Sequence, residues 1–485
     1  MLNVINTRLV KHVLGLLLLI VAAFMFLSTI VGIIYQEDGT TALFISTSIT
    51  VAAGIFMMVL GKNAPKDMGK RDGYIIVALT WIICSFFGLL PFYISGYIPT
   101  VTDAFFETMS GFTTTGSSIL NDIEALPHSL LFWRSIIQWI GGMGIIVLTL
   151  AILPALGVGG ASLFTAEVPG PTPDRLRPKI TETAKRLWFI YLALTIVETI
   201  LLKIGGMGWF DALCHSFTTM ATGGYSTKQA SVGYWESPFI QYVIIVFMFL
   251  AGMNFTMSYF LSHFNFRKVW ENEEFRWYTY ITFGFIALIT VGLEVSSSYG
   301  LEESFRVAAF QVSSILTTTG FATADYLTWI PLLSSLLIVL FFIGGSAGST
   351  GGGIKVQRIL ILLKDCGFEL RRMIHPRAVI PTRCNGQALS QDVVNNVLTF
   401  TLIYIIIIVI SLPIMAAVGM DFDSAFGAII TSIGNVGPGL GTVGPAENFA
   451  HIPAFGKWYL SFLMLLGRLE IFTVLIVLTP TFWKR

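Results

Sequence analysis

The chain has 485 residues, of which 54% are hydrophobic and only 12% are charged, with a formal net charge of +1. Soluble domains carry roughly 25% charged residues, so half that proportion excludes a protein of this size with its whole surface in water. The net charge says little by itself; where the charges lie along the chain is what informs.

The apolar residues come in blocks. Leu14–Tyr35 holds no charge over 22 residues and Ala42–Leu60 none over 19. A bilayer core needs roughly 20 apolar residues per helix, so both predict membrane spans. The first exceeds the roughly 7–15 apolar residues of a signal-peptide core and is followed at once by a second, so it reads as a span and not as a leader. Ten such segments are expected, near 13–35, 42–61, 73–97, 129–157, 187–206, 238–262, 278–297, 329–363, 393–418 and 457–480. Basic residues gather in alternate connections: Arg8 and Lys11, then 62–71, 175–186, 267–276, 355–383 and Lys484–Arg485. The positive-inside rule then puts both termini in the cytoplasm. Cys84, Cys214, Cys366 and Cys384 form no CxxC and predict neither a disulfide framework nor a metal site.

After spans three, five, seven and nine the chain runs through roughly 30 residues with a short semi-apolar piece and a Thr/Gly or Asn/Gly cluster. Irregular backbone at membrane depth is tolerated only where protein buries it or it lines a water-filled cavity, which predicts four re-entrant segments. In register they read Asp103-AFFETMSGFTTT-Gly116, Asp211-ALCHSFTTMATG-Gly224, Val307-AAFQVSSILTTT-Gly320 and Ser424-AFGAIITSIGNV-Gly437. Each opens thirteen residues before its glycine, and the glycines lie 108, 96 and 117 residues apart. Ordinary Thr/Gly surface turns would not recur at this spacing in one topological slot.

The expected architecture is therefore an all-α integral membrane protein of ten transmembrane helices. Four helix–pore loop–helix repeats surround one pore, at 67–168, 169–268, 269–375 and 376–485. An extra N-terminal helix pair occupies 1–66. Each short helix would end near the membrane centre, where its carboxyl end carries about half a negative charge. The extended stretch beyond it would offer backbone carbonyls in place of an ion's hydration shell. The expected filter is Thr114, Thr115, Gly116, Gly223, Gly224, Thr318, Thr319, Gly320, Asn435, Val436 and Gly437. None of these is charged, which argues against a carboxylate-ring filter. Asn435 either offers a side-chain oxygen or braces the loop from behind, and bracing is preferred.

Two further features lie at membrane depth. The eighth segment is interrupted by Gly344-GSAGSTGG-Gly353, with six glycines in ten positions. At up to ~1 kcal/mol each they should break the helix. A mobile loop of Gly345, Ser346, Ala347, Gly348, Ser349, Thr350, Gly351 and Gly352 is expected below the filter as a gate, with close helix packing through small residues as the alternative. The stretch does not match GxxxxGK[ST], so it is not a phosphate-cradling loop. Arg468 lies inside the last apolar segment, where a charge costs several kcal/mol and faces a cavity or a partner. It is expected to face the pore as a barrier or a latch on the loop, the alternative being an ion pair with Glu470. Glu107, His215 and Arg306 are expected to cap and brace the short helices. No HExxH, GxSxG or paired catalytic carboxylates occur at membrane depth, so no enzyme is expected.

With these motifs in view the chain resembles the Trk/Ktr/HKT superfamily of potassium transport proteins. The resemblance is carried by Thr113-TTG-Ser117, Gly223-GYS-Thr227, Thr317-TTG-Phe321 and Asn435-VGP-Gly439. IGGMGI at 140–145, IGGSAGSTGGGIK at 343–355 and GRLEIFTVLIVLTPTFW at 467–483 also match. It extends over essentially the whole chain, although Val307 and Ser424 stand where an acidic residue is usual and Tyr225 where Phe is frequent. The resemblance implies K+ as the transported ion, with no bound cofactor. It also implies a homodimer with one pore per subunit in a bacterial inner membrane, in contact with membrane lipid and with a TrkA-like cytoplasmic nucleotide-binding regulatory protein, and no nucleic-acid partner. A symporter coupling K+ to H+ or Na+ is the alternative. Few Asp, Glu or His residues lie within the spans to relay protons.

Overall fold

The computed structural model describes residues 5–63, 68–144, 180–378 and 380–484, apart from the side chains of 180–183. Helices account for most of them. Six are individually long and apolar enough to cross a bilayer: α1 (Thr7–Tyr35), α2 (Gly39–Leu60), α3 with the short α4 (Lys70–Ile94), α7 (Ile180–Ile204, apolar from Ala184), α12 (Glu273–Ser296) and α16 (Gln391–Ala417). Two further pairs are sharply bent. Helix α9 (Pro238–Gly252) meets α10 (Phe255–Ser262) at 114°, and α18 (Ala454–Arg468) meets α19 (Phe472–Leu478) at 116°. The remaining two of the ten expected segments look different. That at 129–157 is helical as α6 (His128–Gly142), and its residues from 145 lie outside those described. That at 329–363 is divided into α14 (Pro331–Ile343) and α15 (Val356–Ile374) by the glycine-rich stretch.

Among the described residues the all-helical expectation has one small exception. A two-stranded ladder pairs β1 (Arg383–Cys384) with β2 (Gln387–Ala388). Asn385 and Gly386 between them both have positive φ, 50° and 75°. That is the backbone of a type I′ hairpin, for which Asn-Gly is the preferred pair.

Helices α1 and α2 form an N-terminal hairpin held by close backbone approach. A Cβ on Gly15 would lie 2.6 Å from the Gly54 carbonyl oxygen, so only small residues permit this contact. At the hairpin's tip Glu37 accepts hydrogen bonds from the backbone N–H groups of His128 (2.7 Å) and Ser129 (2.9 Å), which begin α6. A carboxylate at this end satisfies orphan donors and complements the helix dipole.

Between the long helices stand four short ones: α5 (Val101–Phe112), α8 (Trp209–Met220), α13 (Leu301–Leu316) and α17 (Phe422–Gly434). Each has an acid in its first turn (Asp103, Asp211, Glu302 with Glu303, and Asp423), which favours a helix start. Thr100 and Asp421 also cap their helices by accepting from the Asp103 and Ser424 N–H groups. The rest of each helix is almost wholly buried. A short amphipathic helix has a weak intrinsic tendency to form, so burial on all sides holds these four in place.

Candidate ion-conducting site

The four short helices end alike. Thr115, Gly223, Thr319 and Val436 each donate their N–H to the carbonyl five residues back, at 2.9, 2.8, 2.8 and 3.0 Å. The preceding residues, Thr114, Thr222, Thr318 and Asn435, donate to the carbonyl three residues back. Together these bonds make a Schellman ending. Its left-handed position usually carries glycine, yet here φ is 55°, 51°, 60° and 53° on three threonines and one asparagine. A β-branched residue rarely adopts this conformation, so tertiary contacts must hold it there.

Two residues on, Gly116, Gly224, Gly320 and Gly437 have φ of 86°, 72°, 83° and 106°. A Cβ on any of them would fall within 3.0 Å of a carbonyl oxygen of the next segment: Gly116 on Gly223, Gly224 on Thr319, Gly320 on Val436 and Gly437 on Thr115. The contacts run from first to second, second to third, third to fourth and fourth back to first. Conformation and crowding both require glycine at these four positions. A cavity of about 90 Å³ opens onto all four glycines. Lys228 and Glu447 also line it. Burial alone would lower the Lys228 pKa, but its hydrogen bond to Glu124 (3.1 Å) and the charges of Glu124, Tyr234 and Asp211 together outweigh this and raise it.

A shell of buried polar side chains fastens this ring from behind. Glu107 accepts from Arg134 Nε at 2.7 Å, from Ser118 Oγ at 3.0 Å and from the Ile119 N–H at 2.9 Å. Arg134 also donates to the Ser226 carbonyl at 2.8 Å and lies over the Tyr225 ring. Gln138 donates to the Gly223 carbonyl (2.7 Å) and accepts from the Tyr225 N–H (3.1 Å). Asn435 donates to Thr115 Oγ1 (2.9 Å) and to the Met464 carbonyl (3.0 Å). His215 contacts the Asp211 carbonyl and Ser226 Oγ. Arg306 reaches Glu302 and Gln241.

The glycine-rich stretch between α14 and α15 sits against the ends of these helices. The Gly352 N–H donates to Thr318 Oγ1 at 2.7 Å, and a Cβ there would strike the Gly434 carbonyl. Thr350 Oγ1 lies 3.1 Å from the Met220 carbonyl. The outer part of the stretch is tied to the bend between α9 and α10: Ser346 N–H to the Gly252 carbonyl, and Phe255 N–H to the Gly348 carbonyl. Ala347 N–H donates to Glu274 Oε1 at 2.6 Å, and Lys355 Nζ donates to the Gly351 carbonyl. Arg468 donates to the Thr350 carbonyl (2.6 Å), to Thr114 Oγ1 (3.2 Å) and to the Gly141 and Gly142 carbonyls. Glu470 pairs with Arg358, one turn into α15.

A family model for TrkH, described as a cation transport protein, matches residues 39–484. The chain belongs to the TrkH family. It is 41% identical over 98% of its length to the Trk system potassium uptake protein TrkH of Salmonella typhimurium, covering 99% of that protein. Identity to the Vibrio parahaemolyticus TrkH is 42%, over 98% of this chain and 99% of that one. The TrkG protein of Escherichia coli is 34% identical over 99% of this chain and 100% of its own. The crystal structure of the potassium transporter TrkH from Vibrio parahaemolyticus superposes with a TM-score of 0.88 at 40% identity, covering 98% and 99% of the two chains. These TrkH-family relatives are transport proteins by name.

The structure brings the eleven expected filter positions together and places residues 345–352 and Arg468 next to them. Sequence reasoning passed over Arg134, Gln138, Glu274 and Lys355. Arg134 and Gln138 did carry a signal, since both interrupt an otherwise apolar stretch, SLLFWRSIIQWIGG. Glu274 and Lys355 sit at helix starts among other charges and carried none.

Proposed function

We propose that the chain takes up potassium across a bacterial inner membrane through a gated, K+-selective channel, with both termini cytoplasmic. The observation that carries this reading is the closed cyclic order of the four glycine segments at the carboxyl ends of four buried helices. Uncharged carbonyls from four strands replace the hydration of a monovalent cation, and the four helix ends add negative potential without a side-chain charge. In this reading Thr114 to Gly116, Gly223 with Gly224, Thr318 to Gly320 and Asn435 to Gly437 form the filter, with the Asn435 side chain as a brace. The repeats at 67–168, 169–268, 269–375 and 376–485 supply one quarter each, and 1–66 is an added pair. The names of the relatives support potassium as the cargo.

Residues 345–352 act as the gate, and Arg468 latches it by holding the Thr350 carbonyl. A TrkA-like nucleotide-binding protein would move this loop from the cytoplasmic side. Both this partner and the homodimer rest on family membership; the basic connections at 62–71, 175–186 and 364–383 would offer the partner a docking surface, and topology by itself accounts for them equally. The test is Rb+ or K+ uptake into liposomes holding the purified chain, with competing Na+ and Li+ and no coupling gradient. Uptake that prefers K+ and Rb+, and loses that preference in Gly116→Ser, supports the channel; uptake that appears only with an imposed Na+ or H+ gradient refutes it.

One observation favours the second reading, a symporter coupled to H+ or Na+. Glu198 on α7 is fully buried, and neither of its oxygens has a hydrogen-bond partner among the described residues. Intramembrane carboxyls of this kind mark proton and ion pathways. Glu198→Gln should leave uptake unchanged if the protein is a channel and abolish gradient-driven uptake if it is a symporter.

A further inference from the structure

Away from the ring, a groove of about 610 Å³ runs between α7 and α10. Its length is apolar, lined by Phe189, Ala193, Leu194, Val197 and Leu250. One end is basic, with Lys185, Arg186 and His263. Among the described residues no carboxylate lines it. Phe189 and Val197 are 73% and 48% exposed, so no described residue covers this wall. From Arg186 to Val197 the helix rises about 16 Å, which matches most of an acyl chain.

A second observation points to a ligand with polar atoms. Ser258 lines the groove from α10, is only 6% exposed, and its hydroxyl has no hydrogen-bond partner among the described residues. A buried hydroxyl left unpaired costs about 1–3 kcal/mol, and an acceptor entering the groove would remove that cost. Arg186 is held in place by donating to Tyr259 Oη at 2.8 Å. Directly beyond α10, Phe264, Phe266 and Trp270 are 81%, 61% and 51% exposed beside Arg267 and Lys268. Aromatic and basic residues mixed in this way anchor a segment at the level of lipid headgroups.

We propose that this groove binds one anionic glycerophospholipid. Its phosphate lies among Lys185, Arg186 and His263, its ester oxygens accept from Ser258, and one acyl chain runs past Ala193 toward Val197. Basic pockets between membrane helices on the cytoplasmic side suit such headgroups, whereas a zwitterionic lipid would gain little from them.

The test is native mass spectrometry of the purified full chain with dioleoyl phosphatidylglycerol or dioleoyl phosphatidylcholine at equal concentration. One phosphatidylglycerol per chain should survive activation that strips phosphatidylcholine. Removing the basic end in Lys185→Gln/Arg186→Gln should cut that retention roughly tenfold or more. Ala193→Trp, which fills the apolar wall and leaves the charges alone, should abolish it without lowering the melting temperature in phosphatidylcholine. Equal retention of the two lipids by the wild-type chain, or unchanged retention in both variants, would overturn the proposal. So would an Ala193→Trp variant that splits a dimer yet keeps its lipid, since the groove would then face a second copy of the chain.

Discussion

The glycine ring and the glycine-rich loop between α14 and α15 use the same residue to different degrees of constraint. In the ring, each glycine is fixed twice. Its φ is positive, and a Cβ would fall within 3.0 Å of a neighbouring carbonyl oxygen. The loop is constrained unevenly: a Cβ on Gly345, Gly351 or Gly352 would fall within 3.0 Å of the Gly252, Thr317 or Gly434 carbonyl oxygen, and bonds from Glu274, Thr318 and Arg468 add to this. Gly348 there meets nothing nearer than the Asn254 side chain at 3.3 Å. Glycine packed against backbone gives rigidity, so within the loop the turn at Gly348 is less constrained than the ends that press on Gly252 and Gly434.

The largest effect should come from breaking the frame of the ring. Glu107→Ala strands the buried Arg134 guanidinium, and losing one partner of a buried pair costs about 3–5 kcal/mol. A fall of that size in thermal stability, with the protein held in one detergent, is the expected result; an unchanged melting temperature would show that the frame is not what holds the ring.

Next in size is selectivity. Gly320→Ser places a side chain against the Val436 carbonyl in a left-handed conformation. Preference for K+ over Na+ in flux competition should fall about tenfold, equivalent to roughly 1.4 kcal/mol, and the variant should still insert in the membrane. Gly348→Ala in the loop has to tolerate a positive φ of 74° and a 3.3 Å approach to the Asn254 side chain, but no carbonyl of the ring, and should leave selectivity alone. If both variants shift selectivity equally, the contrast between the two regions collapses.

The loop should respond in rate instead. Arg468→Ala removes the donor to the Thr350 carbonyl, so Rb+ flux should rise several-fold with the ion preference intact. Deleting part of 345–352 should act in the same direction, and the two changes should not add, because they release the same segment.

The smallest expected effect lies outside both regions. Burial would raise the Glu37 carboxyl, but the Ser129 and His128 backbone N–H groups and the His128 side chain outweigh it and hold it below its ordinary value of 4.5. A folded-state pKa that is depressed stabilises above the unfolded value and loses that stabilisation as pH falls through the folded one. Glu37→Gln should therefore cost about 1 kcal/mol at neutral pH, with the difference from wild type shrinking below about pH 4.5. Selectivity and flux rate should not change.

How much of this was legible in the sequence varies with the range of the interactions. Hydropathy blocks such as Leu14–Tyr35 announce their helices because an 18-residue apolar stretch has few other fates. The thirteen-residue step to each glycine is readable for a similar reason: helix, ending and glycine are contiguous, and the ending repeats the same local hydrogen bonds at Thr115, Gly223, Thr319 and Val436. The glycine run at 344–353 likewise marks where α14 must stop, since residues without side chains cannot sustain a helix.

Sequence by itself thus determined the membrane character and the short helices' positions, which follow from propensity and patterning along the chain, whereas the left-handed turns at Thr114, Thr222 and Thr318 run against propensity. Tertiary structure alone decided who meets whom. That Gly437 closes on Thr115 across more than 300 positions, that Gln138 spans Gly223 and Tyr225, and that Arg468 takes the Thr350 carbonyl while Glu470 goes to Arg358 depend on how separate helices pack. A lone charge in an apolar segment signals that a partner exists; only the packed fold selects which one, because many groups along the chain could satisfy the same hydrogen bond.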